Sequence, residues 1–183
     1  MIRAARPEDA TAVAPLMFQA MEEIVYKMIG RADRYEGIGF LELLFAKGGN
    51  QYSYENALVY EDERGIVGSV VAYDGGKLYA LRLPVLELIK ERYGTEIVLE
   101  DETGAGELYI DTLSVLPLAQ GSGIGSALIN HLKGLHRLPL GLLVDVNNAE
   151  AERLYNRLGF VYANQQALAG GVYKHLVLSL IHI

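Results

Sequence analysis

Three glycines alternate with other residues in a short segment between two apolar runs. The segment reads Gln120-Gly-Ser-Gly-Ile-Gly125; a strand-like run over 108–115 precedes it and a helix-like run over 124–133 follows it. Glycine adopts backbone angles closed to other residues and, without a Cβ, lets a ligand approach the chain closely. The first N–H groups of a helix are unpaired and carry partial positive charge. The spacing therefore predicts an anion-binding loop, and phosphate is the usual ligand of such loops.

A second motif follows another strand-like run, over residues 140–146. Residues 148–160 read Asn-Ala-Glu-Ala-Glu-Arg-Leu-Tyr-Asn-Arg-Leu-Gly-Phe. The pairing of Gln-x-x-Gly-x-Gly with a downstream Asn-x-x-Ala-x-x-Leu-Tyr-x-x-x-Gly-Phe resembles the GNAT superfamily of acyl-CoA-dependent N-acetyltransferases. The resemblance is most specific over residues 107–160.

Two other phosphate-binding motifs fit the glycine segment less well. A dinucleotide-binding Gly-x-Gly-x-x-Gly would need glycine where Ser126 stands, although Asp145 lies near the distance expected of a ribose-binding acid. That motif also leaves residues 148–160 unexplained. A nucleoside triphosphate P-loop fails because no Gly-Lys-Ser/Thr follows the loop.

The resemblance implies acetyl-CoA as co-substrate. Backbone N–H groups of the glycine loop would hold its pyrophosphate, and the fourth strand would separate from the fifth so that pantetheine enters as an added strand does. Asn148 is expected to cap the next helix and, by resemblance, to contact pantetheine. The implied cofactor-binding residues are Leu113, Val115, Gln120, Gly121, Ser122, Gly123, Gly125, Ser126 and Asn148.

Three residues are candidates for catalysis. By resemblance Tyr155 is the general acid that protonates the departing thiolate, and otherwise it is a core aromatic. Glu107 and Asp111 alternate along one predicted strand, so their side chains share a face and suit binding an ammonium and removing its proton. Glu107 falls where several family members keep a glutamate base and is the first choice, with Asp111 second. The alternative is that both acids are structural.

Composition narrows the classes of partner. The chain has 16 basic and 23 acidic residues, a formal net charge of −7, which argues against nucleic acid and suits a cationic acceptor. The chain has no cysteine, so an acyl-cysteine intermediate and thiolate zinc sites are excluded. The four histidines, at 131, 136, 175 and 182, lack metal-ligand spacing, so no metal is expected.

Length and patterning predict a single α/β domain over residues 1–183. The family implies a mixed, mostly antiparallel sheet of about seven strands with helices on both faces, and residues 75–103 are interpreted as an insertion between the third and fourth strands. Strands are expected at 107–115 and 140–146, a closing hairpin at 159–164 and 172–181, and helices at 40–46, 123–136 and 149–158.

The N-terminal residues lack the apolar core of a signal peptide, and we expect a cytoplasmic protein. The uncharged stretch from 112 to 130 contains Pro117, Gln120 and three glycines, so it predicts a strand, turn and helix rather than a membrane span.

These observations predict direct transfer of acetyl from acetyl-CoA to a primary amine of a small cationic molecule. The strand amide near Val115 would polarise the thioester oxygen. Two alternatives stay open, a protein or peptide N-acetyltransferase and a non-catalytic CoA-binding module. A homodimer is compatible with the sequence.

Overall fold

Seven strands form one sheet in the order β1-β2-β3-β4-β5-β7-β6 in the computed structural model, which describes residues 1–180. Every neighbouring pair is antiparallel except β4 and β5, which run parallel. The predicted mixed, mostly antiparallel sheet is thus confirmed. The strands are β1 (Ile2–Ala4), β2 (Ala57–Asp62), β3 (Gly65–Asp74), β4 (Leu108–Val115), β5 (Leu140–Asp145), β6 (Val161–Leu168) and β7 (Gly171–Leu178).

Five helices cover both faces of the sheet, as predicted. The first three pack on one face around a core that includes Phe18, Phe40 and Ile89. The other two lie on the opposite face, where Leu128 and Phe160 are buried. The helices are α1 (Ala10–Ile29), α2 (Arg34–Ala46), α3 (Leu78–Tyr93), α4 (Ile124–Leu135) and α5 (Ala149–Arg157).

Two boundaries differ from the sequence prediction. Helix α2 begins at Arg34, six residues before the predicted start, because the Asp33 carboxylate accepts a hydrogen bond from the Glu36 N–H and caps the helix. Gly37 lies in the early part of α2, where a Cβ would come within 2.9 Å of Val25 on α1, so glycine here serves close packing rather than a turn.

The second difference is in β6, which continues to Leu168, beyond the predicted end at 164. The end of the predicted closing strand, at 181, lies outside the described residues, as does His182.

Residues 75–103 form a short 3₁₀ turn, then α3, then the start of a segment without regular secondary structure that runs to β4. That these residues are an insertion relative to the family stays a prediction. Within residues 1–180, no helix combines the length and apolar character needed to cross a membrane.

Candidate active site

Strands β4 and β5 separate partway along their length. They are paired at only three positions, Leu108 with Leu140, Tyr109 with Gly141, and Ile110 with Leu142. On its other side β4 bulges against β3, since Ile110 lies opposite Ala72 while Thr112 lies opposite Val71, which leaves Asp111 as the extra residue. A bulge bends its strand and re-aims a side chain. The outer halves of β4 and β5 therefore bound a gap.

Backbone groups of β4 face this gap. The Leu116 N–H donates to the Val67 carbonyl on β3, at 2.8 Å. Because successive residues of a strand direct their N–H groups to opposite sides, those of Leu113 and Val115 face away from β3. The Val115 carbonyl faces the same way and accepts hydrogen bonds from the side-chain amides of Gln19, at 3.0 Å, and Gln120, at 3.1 Å.

The glycine loop joins β4 to α4 in a conformation that requires glycine. Gly121 and Gly123 have φ of +79° and +84°, in the left-handed region. No atom lies within 4 Å of where a Cβ would stand at either position, so the space beside the loop is open. The Ser122 hydroxyl donates to the Ala119 carbonyl and closes the turn. Ala127 donates to the Gly123 carbonyl at 3.0 Å, and the earlier N–H groups of the helix lie in the turn that faces this space.

A cavity of about 600 Å³, here called the cofactor cavity, lies between the loop, the end of β4 and α5. Eight of the nine predicted cofactor-binding residues line it, and Ser122 does not. Asn148 is the N-cap of α5, where its side chain accepts from the Ala151 N–H at 3.1 Å. The eight residues are Leu113, Val115, Gln120, Gly121, Gly123, Gly125, Ser126 and Asn148.

A second cavity of about 440 Å³, here called the acidic cavity, adjoins the first. Both cavities are lined by Gln19, Leu113, Asn148, Ala151 and Tyr155. Among the described residues, the lining of the acidic cavity includes no lysine, arginine or histidine. Its five acids are Glu22, Glu23, Glu102, Asp111 and Asp145.

Tyr155 stands where the two cavities meet. Its ring packs edge-to-face on Phe160, with the ring centroids 5.8 Å apart. Within residues 1–180 its hydroxyl has no hydrogen-bond partner, and burial raises its pKa to about 12. The hydroxyl is therefore protonated at neutral pH and can donate a hydrogen bond. Its orientation is set by the packing of the ring.

Asp111 belongs to a hydrogen-bonded cluster at the inner end of the acidic cavity. The Tyr73 hydroxyl lies 2.6 Å from Asp111 Oδ2 and 3.2 Å from Glu102 Oε1. The Gln51 side-chain amide donates to Glu102 at 2.5 Å and to Tyr73 at 2.9 Å, with a longer contact of 3.4 Å to Asp111. A tyrosine hydroxyl has one proton to donate, and the shorter contact assigns it to Asp111. Two carboxyl groups are thus bridged by one tyrosine and one amide.

Burial dominates the electrostatics of this carboxyl pair. It raises the pKa of Asp111 to about 6, against the opposing effect of hydrogen bonds from Tyr73 and Gln51. Burial, and then the charge of Asp111, raises the pKa of Glu102 to about 8. Two nearby carboxylates in a site of low polarity ionise in separate steps. The two carboxyl groups therefore titrate as a coupled pair, and burial disfavours the state in which both are ionised.

Helix α3 positions this cluster from outside the cavity. The buried Arg82 guanidinium donates to the carbonyls of Leu99, at 3.2 Å, and Glu100, at 3.1 Å, and lies 3.7 Å from Glu102 Oε1. The Leu81 carbonyl accepts from the Gln51 N–H at 3.0 Å. The sequence reasoning did not identify these positioning residues. The only signal for Glu102 was its place in an acidic stretch.

Glu107 shares a sheet face with Asp111 but has different surroundings. Its carboxylate accepts from the Thr103 hydroxyl at 2.7 Å and pairs with His175 Nε2 at 2.8 Å. It lies directly over Gly141, where a Cβ would stand only 2.0 Å from its Oε2 atom. Glu107 and His175 line a third depression, which shares neither Asp111 nor Tyr155.

Comparisons with known proteins agree with this geometry. The chain is similar to a crystal structure of an acetyltransferase, with 28% identity and a TM-score of 0.80 over 99% of this chain and 100% of that one. It is also similar to an N-acetyltransferase from Staphylococcus aureus Mu50, with 26% identity and a TM-score of 0.82 over 97% and 100% of the two chains.

Curated relatives match a shorter part of the chain. The mycothiol acetyltransferase of Mycobacteroides abscessus is 42% identical over 74 residues, which are 38% of this chain and 24% of that protein. The chain thus spans about a quarter of that relative. A model of the acetyltransferase (GNAT) domain matches residues 53–162, more than half of the chain. The chain belongs to the GNAT acetyltransferase family.

Proposed function

We propose that this acetyltransferase moves an acetyl group from acetyl-CoA directly to a primary amine of a small cationic molecule. The observation that carries the proposal is the junction of two cavities at Tyr155. One is bounded by the glycine loop and the end of β4, and the other is lined by five acids and, among the described residues, by no lysine, arginine or histidine. Both substrates would then bind at once, with the reacting atoms beside that side chain.

The cofactor cavity fits acetyl-CoA. The loop amides and the N-terminus of α4 suit a pyrophosphate, and no Cβ of Gly121 or Gly123 intrudes on the space beside them. The N–H groups of Leu113 and Val115 lie along the open edge of β4 and suit an extended amide-containing arm. Bound acetyl-CoA supplies an activated thioester. The Val115 N–H is our candidate donor to its carbonyl oxygen.

Asp111 is the better-placed general base. It lines the acidic cavity together with Tyr155, whereas the Glu107 carboxylate is already engaged by Thr103 and His175 elsewhere. A pKa of about 6 keeps Asp111 mostly ionised at neutral pH while retaining useful basicity. In this assignment Asp111 binds the acceptor ammonium, takes its proton and frees the nitrogen to attack. Glu107 then acts as a structural acid.

Tyr155 is the proposed general acid. Burial keeps the phenol protonated, and the same surroundings disfavour a thiolate left in them, so the proton is drawn to the departing sulfur. Because the hydroxyl has no partner within residues 1–180, no internal hydrogen bond has to be broken for this donation.

A thiol-release assay tests the proposal. The protein is incubated with acetyl-CoA and panels of alkyl amines, amino sugars, amino acids and short peptides, and free CoA is measured. We expect release with cationic small amines and little with acidic ones. Preference for peptides would favour a protein N-acetyltransferase. If acetyl-CoA raises the Tm but no amine causes release of free CoA, the result would favour a non-catalytic CoA-binding module.

A further inference from the structure

Four of the five acids of the acidic cavity fall into two groups. The inner group is the bridged pair Glu102 and Asp111. The outer group is Glu23 and Asp145, which lie near the ring of Tyr173. Asp145 is the partner of Tyr173 in the β5–β7 register, and burial followed by the charges of Asp145 and Glu23 raises the pKa of that tyrosine.

Strand geometry gives the spacing of the two groups. Asp111 lies one residue beyond Ile110, whereas Asp145 lies three residues beyond Leu142, the parallel partner of Ile110. Two residues correspond to about 7 Å along the strands, and neighbouring strands lie at least about 5 Å apart. The backbone positions of Asp111 and Asp145 are therefore roughly 8 Å apart, a spacing that suits two ammonium groups better than one.

The two groups differ in how far the protein itself compensates their charge. Arg82 lies 3.7 Å from Glu102 Oε1 and partly compensates the inner pair, whereas within residues 1–180 neither Glu23 nor Asp145 forms an ion pair with a basic side chain. Lys174 follows Tyr173 in sequence, but its ammonium pairs with Glu152 of α5 at 2.9 Å, on the other face of the sheet. Glu23 is exposed and Asp145 half-buried, so the outer group is open to a cationic ligand and no basic side chain of residues 1–180 competes for it.

Two buried polar side chains in the same lining also lack partners. Thr112 is 2% exposed and its hydroxyl has no hydrogen bond within residues 1–180. Tyr109 is 3% exposed, and its hydroxyl likewise makes no hydrogen bond within that range. Buried polar groups are normally paired, and both residues line the acidic cavity. The Thr112 hydroxyl is wholly enclosed, so the unused hydroxyl of Tyr109 is the observation, independent of the acids, that points to a polar ligand.

From this arrangement we infer that the acceptor is a diamine, with its reacting amine at Asp111 and its second ammonium held by Glu23 and Asp145. The inference rests on the proposed acetyl transfer. In the reaction the ammonium gives one proton to Asp111, the neutral nitrogen forms a bond to the acetyl carbon and the carbon–sulfur bond breaks. Tyr155 gives its proton to sulfur and is reprotonated by the second proton that the nitrogen loses. The second ammonium keeps its protons and its charge throughout.

The first test is a chain-length series. Thiol release is measured for α,ω-diamines of three to seven carbons, for n-alkyl monoamines of equal length and for the matching amino alcohols. We expect kcat/KM at least about 10-fold higher for the best diamine than for its monoamine, about the effect of one charge-assisted contact, with an optimum near four to six carbons. A kcat/KM for the monoamines equal to or higher than that for the diamines would overturn the diamine inference and leave the proposed acetyl transfer intact. No release from any amine would overturn the proposed function instead.

The second test assigns the outer site. Glu23→Gln and Asp145→Asn are expected to reduce the diamine-to-monoamine ratio of kcat/KM by about 5- to 10-fold, chiefly through KM. Asp145 also accepts a hydrogen bond from the Asn147 N–H at 2.8 Å, so Asp145→Asn could alter the local turn. Glu23→Gln changes the charge without affecting that contact. Glu63→Gln, in the exposed β2–β3 turn, is the matched control and should leave the ratio unchanged. An unchanged ratio in both outer variants, with the Tm shift by acetyl-CoA retained, would refute the outer site.

Discussion

The two cavities that meet at Tyr155 are built in different ways. The cofactor cavity is formed by two continuous stretches, 113–126 and 148–157, with a contribution from Gln19, and it includes the backbone of the glycine loop. The acidic cavity draws its charges from α1, from the segment before β4 and from the two strands β4 and β5. A backbone-built site demands particular residues at fixed spacing, whereas a site built from side chains needs only charges that converge. The first can stay constant while the second sets which acceptor is used.

The largest expected effect is that of a substitution in the acidic cavity that lowers turnover and leaves acetyl-CoA binding intact. Asp111→Asn keeps size and hydrogen bonding but removes the proton acceptor, so we expect kcat/KM to fall by roughly 10² to 10⁴. Acetyl-CoA should still raise the Tm as in the unaltered protein, because Asp111 does not line the cofactor cavity. Kinetics unchanged between pH 6 and 9 would remove Asp111 from the mechanism.

Tyr155→Phe acts at the junction itself. The expected loss is roughly 10- to 1,000-fold in kcat, with little change in acetyl-CoA affinity, and the high-pH limb of the rate profile should move or vanish. The measurement is steady-state thiol release across pH. Turnover near that of the unaltered protein would make Tyr155 a packing residue for Phe160.

Gly123→Val should damage the cofactor cavity alone. A β-branched residue does not tolerate φ near +84°, so the loop must rearrange, and we expect acetyl-CoA affinity to fall by about 10-fold or more. Binding is measured by calorimetry, with folding checked by circular dichroism. Gly134→Val, in an exposed part of α4 with no atom near its Cβ position, is the control for a glycine-to-valine change away from the loop. Full acetyl-CoA binding by the Gly123 variant would argue against the loop as the pyrophosphate site.

Glu102→Gln probes the inner carboxyl pair through stability. The pKa of Glu102 is raised from 4.5 to about 8 in the folded protein, so between these values the folded state binds more protons than the unfolded state. The free energy of unfolding of the unligated protein should therefore fall as pH rises from about 5 to 8, by at most a few kcal/mol. In the variant, the free energy of unfolding measured with urea should differ less between pH 5 and pH 8 than in the unaltered protein. Parallel curves for the two proteins would contradict a buried, protonated Glu102.

The smallest expected effect concerns Glu107. Glu107→Gln retains the Thr103 contact but weakens the one to His175, so we expect a loss of about 1–3 kcal/mol in unfolding free energy and kcat/KM within about 3-fold of the original. Urea unfolding and thiol release measure the two quantities. A fall in kcat/KM concentrated at low pH would return Glu107 to the role of base.

The contrast between the cavities also explains how far the sequence could be interpreted. Gly121, Gly123, Asn148 and Tyr155 occupy fixed positions relative to strand ends and helix starts, so their spacing predicted the fold and where they would meet. Gln51 reaches Glu102 and Asp111 across 51 and 60 positions, and no local pattern predicts such contacts. Alternation placed Glu107 and Asp111 on one face correctly. It could not predict that the first would pair with His175 on β7.

The short ladder between β4 and β5 divides the sheet into two half-sheets. Only three residue pairs join β1–β4 to β5–β7 along that line, and segments with few cross-strand bonds open at lower free energy than the rest of a domain. Within these strands, native-state hydrogen exchange should therefore be fastest for the amides that face the gap, such as those of Leu113 and Val115. An extended ligand arm in the gap would act as a missing strand, slow that exchange and stiffen the whole domain.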